Sequence, residues 1–336
     1  SFRLNQSEHE MKAIRVYEFG SPEVLQFEEV PDLQPEFGQV VMQVRAIGVN
    51  PLHRLICAGL VARPPLPFTP GDDAAGVVAA VGEGVTGIAV GDRVYGGQPL
   101  TGTYAEQVLY DASEVYPLPD NTSFSQGASL RGPYYTAHYA LFGKGRGTPG
   151  ETVLVHGASG GVGIAAVQIA RAAGFVVIGT ASSEKGRELV KQEGAYHVFD
   201  HSAPDYIQGI LDLTAGRGVD LILEMKADVN LPKSTQIVAL NGRIVMIGGK
   251  DVGEGGSGRV EFNPFATLFK NADILGLFIG AASPTEVLAM KAAIFAGLEN
   301  STLRPIIGQE MPLNDARKAL EVIGQSGAFG KIILVP

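Results

Sequence analysis

Between Thr152 and Ala173 the chain reads TVLVHGASGGVGIAAVQIARAA: four residues fit for a buried strand, a turn of small residues, then an apolar-faced helix. This order constrains the fold more than any other stretch. In a dinucleotide fingerprint the first small residue permits the turn. The second lets backbone approach a pyrophosphate, and the third lets the helix pack closely on the sheet. Ala158, Gly160 and Gly163 fall at those places, relaxing the strict pattern to A-x-G-x-x-G. The start of the helix offers unpaired N–H groups and a partial positive charge to a phosphate. A purely structural glycine corner would show the same spacing. What separates the two readings is the surrounding chain.

From Tyr134 onward that chain alternates strands with helices. Strands are expected at 152–157, 175–180, 197–200, 219–225, 242–249 and 274–280. Helices are expected up to Ala173 and over 184–193, 206–214, 232–240 and 284–298. Continuous apolar strands spaced by helices predict a parallel sheet buried on both faces. Before it, from Met11 to about Pro133, short apolar runs are broken by Gly and Pro. Strands are expected there at 40–49, 74–82, 91–97 and 103–110. The tail from Arg304 ends in GKIILVP, reads as strand, and is expected to return to the first domain. The division is therefore 11–133 with 304–336, and 134–303. Residues 1–10 are expected to be an extension ahead of Met11.

Which dinucleotide binds depends on the end of the second strand. A site for the unphosphorylated cofactor places a carboxylate there for the ribose hydroxyls. Here Gly179–Thr180 is followed by ASSEK, which puts Ser182, Ser183 and Lys185 where a 2′-phosphate would want hydroxyls and a cation. Glu184 beside them weakens the positive field. His201, after the third strand, is placed to reach the same phosphate. NADPH is expected over NADH.

The 336 residues carry a formal net charge of −9, which disfavours general affinity for nucleic acid or anionic membrane. The single cysteine, Cys57, rules out an intrachain disulfide framework and any zinc site built of several thiolates. No window approaches the ~18 apolar residues of a membrane span. A cytoplasmic protein is expected.

The stretches RVYEFGSPEVL, GVNPLHR, PFTPGDDAAGVVAAVGEGV, GDRVYG, GPYYTAHYAL, VLVHGASGGVG, VFDH, EMKADVNL and GKIIL together carry a resemblance. From Met11 to its end the chain resembles the medium-chain dehydrogenase/reductase superfamily, and within it the zinc-independent quinone oxidoreductases of the zeta-crystallin group. The resemblance implies a GroES-like β-rich catalytic domain and a Rossmann doubly wound parallel-sheet domain that binds NADP(H). Zinc-dependent relatives hold their metal through a Cys and a His. The matching places here are Asn50 and Asp72, so no metal is expected. His53, His138 and His156 form no ligand cluster by spacing, and Asp72–Asp73 is read as a turn and packing pair.

The resemblance also implies cofactor contacts at Ser159, Gly160, Gly161, Val162, Ser182, Lys185, His201, Asn230, Gly248, Gly249, Lys250, Leu277, Phe278, Ile279, Gly280 and Lys331. Asn50 and Thr136 are expected near the nicotinamide as catalytic residues. Leu55, Arg131, Tyr134 and Phe278 are expected to line a substrate cleft between the domains. Tyrosines usual in that cleft are replaced by Leu55 and Val61. Arg131 invites either a carboxylate-bearing acceptor or a structural pairing with a neighbouring acid.

The activity implied is NADPH-dependent reduction of a quinone, by electron or hydride transfer. Reduction of the conjugated double bond of 2-alkenals or enones is the alternative, and a non-catalytic NADPH-binding structural or RNA-binding role a second one. A homodimer or homotetramer, joined through the strand at Ile274–Gly280, is implied as well.

Overall fold

The computed structural model describes residues 10–249, 258–325, 327 and 329–336. The chain forms two compact units. One comprises the chain up to Arg131 together with Gln309–Gly324 and Ile332–Pro336; the other comprises Gly132–Gly308 and Gln325–Lys331.

The first unit is built on the strand Gln39–Gly48, whose Val40, Val41, Met42, Val44, Ala46 and Ile47 are all buried. It pairs antiparallel with Asp73–Val81 along one edge. Along the other edge it pairs antiparallel with Gln107–Asp111 and, further on, with the returning strand Lys331–Val335. A separate hairpin joins Glu10–Val16 to Leu25–Pro31. Two expectations need correction. The continuous strand expected at 103–110 starts only at Gln107, because Thr103–Glu106 is bent and is held to the first strand instead, with Ala105 bridging Ala13 antiparallel. The tail is not strand throughout, since it holds the helix Ala316–Ile323. Ala316, Ala319 and Leu320 form its buried stripe at helical spacing.

The second unit is a six-stranded parallel sheet. Its strands are β1 (Thr152–Val155), β2 (Val176–Thr180), β3 (His197–Phe199), β4 (Val219–Glu224), β5 (Val238–Met246) and β6 (Asp273–Gly276). They lie in the order β3-β2-β1-β4-β5-β6. This is the doubly wound order, which reverses direction at β1 and leaves a crevice at the carboxyl ends of the strands. Val153, Leu154, Val155, Leu221, Ile222 and Leu223 are fully buried, as a sheet covered on both faces demands.

The connecting helices include α1 (Gly161–Ala172), α2 (Glu184–Gln192), α3 (Tyr206–Leu213), α4 (Ala227–Ile237) and α5 (Pro284–Glu299). Helix α4 starts five residues before Pro232, which sits inside it instead of opening it. The strand expected at 274–280 ends at Gly276, and Ile279–Ala281 forms a 3₁₀ turn.

Candidate functional site

The β1–α1 turn is the centre of the second unit's crevice. Gly157 has φ +57°, a left-handed conformation that suits glycine, and the turn runs on through Ala158 and Ser159. At Gly163 a Cβ would lie 2.5 Å from the Gly157 carbonyl oxygen, so only glycine lets α1 sit this close to the turn. Gly160 is the residue that caps α1, and the first-turn N–H groups of Gly161, Val162 and Gly163 open at that end. These features fit a dinucleotide pyrophosphate.

Other sequence-selected residues converge here. The Gly330 N–H donates to the Ser159 carbonyl at 2.7 Å. This bond lays the segment Phe329–Lys331 beside the turn and brings the buried Lys331 side chain along Gly161. Ser159 also packs on Gly186 in the first turn of α2, so the two helix starts adjoin. Ser183 caps α2, its Oγ accepting from the Gly186 N–H at 3.1 Å. Lys185 follows in the same turn, with Nζ 4.2 Å from the centroid of the Phe329 ring. Phe329 lies about 145 residues away along the chain, so no local pattern links it to Lys185. Arg187 is committed to Asp200 and to the carbonyls of Ala181 and Ser182.

Behind this corner lies a polar network that sequence spacing did not reveal. Glu224, at the end of β4, is fully buried. Its carboxylate accepts from the Lys226 N–H and Asn230 Nδ2, both at 3.0 Å, and from Ser234 Oγ at 2.7 Å. Buried His156 stands 3.5 Å away through Nε2. Its Nδ1 is 3.4 Å from Thr180 Oγ1, which in turn is 3.3 Å from His201 Nδ1. Burial and, secondarily, the neighbouring His156 and Lys226 push the His201 imidazole below its ordinary range, against the pull of Asp200. Burial likewise lowers His156, opposed by Glu224. The Asn230 side chain is thus committed to Glu224 through its amide nitrogen.

Gly248 and Gly249 follow β5, where the Gly248 carbonyl accepts from the Ala227 N–H at 2.9 Å. Leu277 is tied to Met246 by its N–H at 3.0 Å, and Phe278, Ile279 and Gly280 continue past the end of β6 with Phe278 largely exposed. Lys250 lies outside the described residues. Tyr134 is buried, its hydroxyl donating to Gln168 Oε1 at 2.7 Å, and Thr136 is buried nearby in sequence.

In the first unit Asn50 caps the helix Pro51–Cys57, and its backbone N–H donates to His53 Nδ1 at 3.3 Å. Asn50 Nδ2 donates to Asp72 Oδ1 and Asp73 Oδ2, both at 2.9 Å. His53 Nε2 meets Asp72 Oδ1 at 2.5 Å, and Nδ1 meets the Tyr104 hydroxyl at 2.9 Å. The pair Asp72–Asp73 is therefore part of a bonded cluster with His53, which sequence spacing had not joined to it. Asn50 and Asp72, at the places of zinc ligands, are bound to each other. Cys57 is buried, and burial pushes its thiol up to about 12. Among the described residues no group of three or more His, Cys, Asp or Glu could hold a metal ion. This donor set does not fit the relatives' zinc. Leu55 is half-buried on the same helix. Arg131 is buried where a side chain on Gly97 would strike both its guanidinium and the Glu114 carboxylate.

Two family models match the chain: the alcohol dehydrogenase GroES-like domain over residues 36–120, and the zinc-binding dehydrogenase family over 161–293. The quinone oxidoreductase of Rattus norvegicus is 43% identical, over 97% of this chain and 98% of that protein. The Homo sapiens quinone oxidoreductase is 42% identical over the same shares. Among solved structures, Escherichia coli quinone oxidoreductase complexed with NADPH superimposes with a TM-score of 0.87 at 27% identity. That match covers 97% of this chain and 100% of that one.

Proposed function

Because the chain belongs to the quinone oxidoreductase family of the medium-chain dehydrogenase/reductases, and is an oxidoreductase, we propose that it reduces quinones at the expense of NADPH without zinc. The observation that carries the reading is the convergence at one corner of the β1–α1 turn, the α2 start with Lys185, His201, and the Phe329–Lys331 segment. Ser159, Gly160, Gly161 and Val162 would hold the pyrophosphate. Ser182, Lys185 and His201 would hold the 2′-phosphate. Gly248, Gly249, Leu277–Gly280, Asn230 and Lys331 would complete the cofactor contacts. When bound, the reduced nicotinamide supplies a hydride.

The chain's own part is position and water exclusion. No Lewis acid is assigned to polarise a carbonyl, because Asn50 and Asp72 are turned to each other. An acceptor needing little activation fits that limit, and quinones are the leading class. Asn50 and Thr136 are assigned to the catalytic region, with Leu55, Arg131, Tyr134 and Phe278 as candidate contacts of the acceptor.

A homodimer or homotetramer joined through the second unit is the assembly proposed. β6 is an edge strand, and Phe265, Leu268, Phe269 and Phe278 near it in sequence are all exposed. The lone buried thiol suits a reducing cytoplasm. No described helix is long and apolar enough to cross a membrane.

The deciding experiment measures NADPH consumption with 9,10-phenanthrenequinone and with a 2-alkenal side by side. Faster turnover of the quinone is expected. A preference for the alkenal would move the function to conjugated double bonds, and no turnover of either would leave a nucleotide-binding role without catalysis.

A further inference from the structure

The network behind the 2′-phosphate corner fixes where its protons lie. Ser234 Oγ donates its single hydrogen to Glu224 Oε2 at 2.7 Å. Toward His156 Nε2, 3.4 Å away, that hydroxyl oxygen can then only accept. The Glu224 carboxylate, 3.5 Å from the same nitrogen, also only accepts. Nε2 of His156 must therefore carry the hydrogen. The ring is neutral, since burial holds it below its ordinary range, so its Nδ1 is a lone pair that takes the Thr180 hydroxyl hydrogen. The Thr180 oxygen is left as an acceptor. It receives the Gly157 N–H at 3.2 Å and, from the other side, His201 Nδ1 at 3.3 Å. Neutral His201 then carries its hydrogen on Nδ1 and presents a bare lone pair at Nε2.

We infer that Glu224, His156 and Thr180 are positioning residues that lock this tautomer of His201, so that binding a 2′-phosphorylated nucleotide takes up one proton and binding the unphosphorylated nucleotide takes up none. The inference rests on the reading that His201 faces the 2′-position. A phosphate dianion repels a lone pair and demands a donor, which only the imidazolium offers at Nε2. A ribose 2′-hydroxyl can instead donate to the neutral ring. The charged groups acting on His201 are Asp200 on its own loop, Lys226 and Lys233 at the start and middle of α4, and His156 at the end of β1. Of these only Asp200 favours the cation in the free protein, so the phosphate must supply the remaining drive.

The sign follows. The free imidazole is held below its ordinary range, and a bound phosphate raises it. Between those two values the protein–NADPH complex holds one more proton than its separate parts. Affinity then falls as pH rises, by up to about tenfold per pH unit. Titration is best made between about pH 7 and pH 8.5, above the second ionisation of the phosphate near 6. In that window the NADPH Kd should rise with pH while the NADH Kd stays flat. Calorimetry in buffers of different ionisation enthalpy should count a proton taken up with NADPH, and His201→Gln should abolish that uptake. Thr180→Val, which frees the other tautomer as a neutral donor, should make the NADPH slope shallower.

Imidazole ¹⁵N shifts of the nucleotide-free protein report the tautomer without any ligand. A hydrogen on Nδ1 of His201 is expected, and one on Nε2 would overturn the lock. Equal pH slopes for both nucleotides, or uptake that survives His201→Gln, would overturn the linkage. Failure of wild type to bind either nucleotide would sink the functional reading instead, with the ¹⁵N result still deciding the tautomer.

Discussion

Lys185→Ala isolates the cationic part of NADPH selection. Lys185 is the second residue of α2, where the helix start disfavours a cation, and it is exposed beside Glu184. Its ammonium is stationed over the Phe329 ring at 4.2 Å, a contact worth about 0.5–1 kcal/mol at an exposed site. That contact lowers the entropy lost when the side chain engages a phosphate. A charge-assisted hydrogen bond to phosphate contributes on the order of 1.5–3 kcal/mol. Exposure and the Glu184 charge place this one at the lower end, so NADPH should weaken by roughly tenfold. NADH should change by less than about twofold. The assay is nucleotide fluorescence titration of wild type and variant with both cofactors, at low salt and at about 0.5 M salt. Salt should shrink the wild-type advantage for NADPH, because a screened surface charge is being measured. Equal losses for the two cofactors would refute the reasoning and assign Lys185 to packing against Phe329.

Metal analysis of the purified protein should find no stoichiometric zinc, and chelator should leave reductase activity intact; one tightly held zinc per chain, lost together with activity, would contradict this. Thr136→Ala and Asn50→Ala should each lower turnover by roughly tenfold to a hundredfold, short of the loss of an essential nucleophile. Only Asn50→Ala should also lower the melting temperature, since it leaves Asp72 and Asp73 without the amide both accept from. Arg131→Ile separates the two roles of that residue. Its place beside Glu114 favours structure, so a loss of about 1–3 kcal/mol in stability is expected with the acceptor profile unchanged. A selective loss of carboxylate-bearing acceptors would show that Arg131 contacts substrate.

The parallel sheet was legible because its signal is local. Each strand is a short apolar run, each helix begins within a few residues of it, and right-handed crossovers leave few ways to connect them. The errors came where local signals compete. Pro232 looks like a helix opener, yet α4 begins at Ala227, where the chain turns under the Glu224 carboxylate that accepts the Lys226 N–H. The helix at Ala316–Ile323 was hidden because it sits between two strands, Ile307–Pro312 and Lys331–Val335, whose apolar runs dominate the tail.

The site was legible only in those parts that lie within one turn of a helix start. Ser159, Gly160, Ser182 and Lys185 announce themselves by their position after a strand. Glu224, His156 and Thr180 do not, because each looks like an isolated polar residue at a strand end. Their relation exists only after the sheet order is set. β1 lies between β2 and β4, so the residues at the carboxyl ends of those three strands meet side by side although up to 68 positions separate them in sequence. A buried carboxylate without partners would cost several kcal/mol. Glu224 is therefore tolerated only as a member of the whole set, with Ser234, Asn230 and the Lys226 N–H accounting for its lone pairs. The same sheet order that creates the nucleotide crevice thus places a satisfied buried charge directly behind it. That charge can hold an imidazole orientation at the crevice without itself touching a ligand.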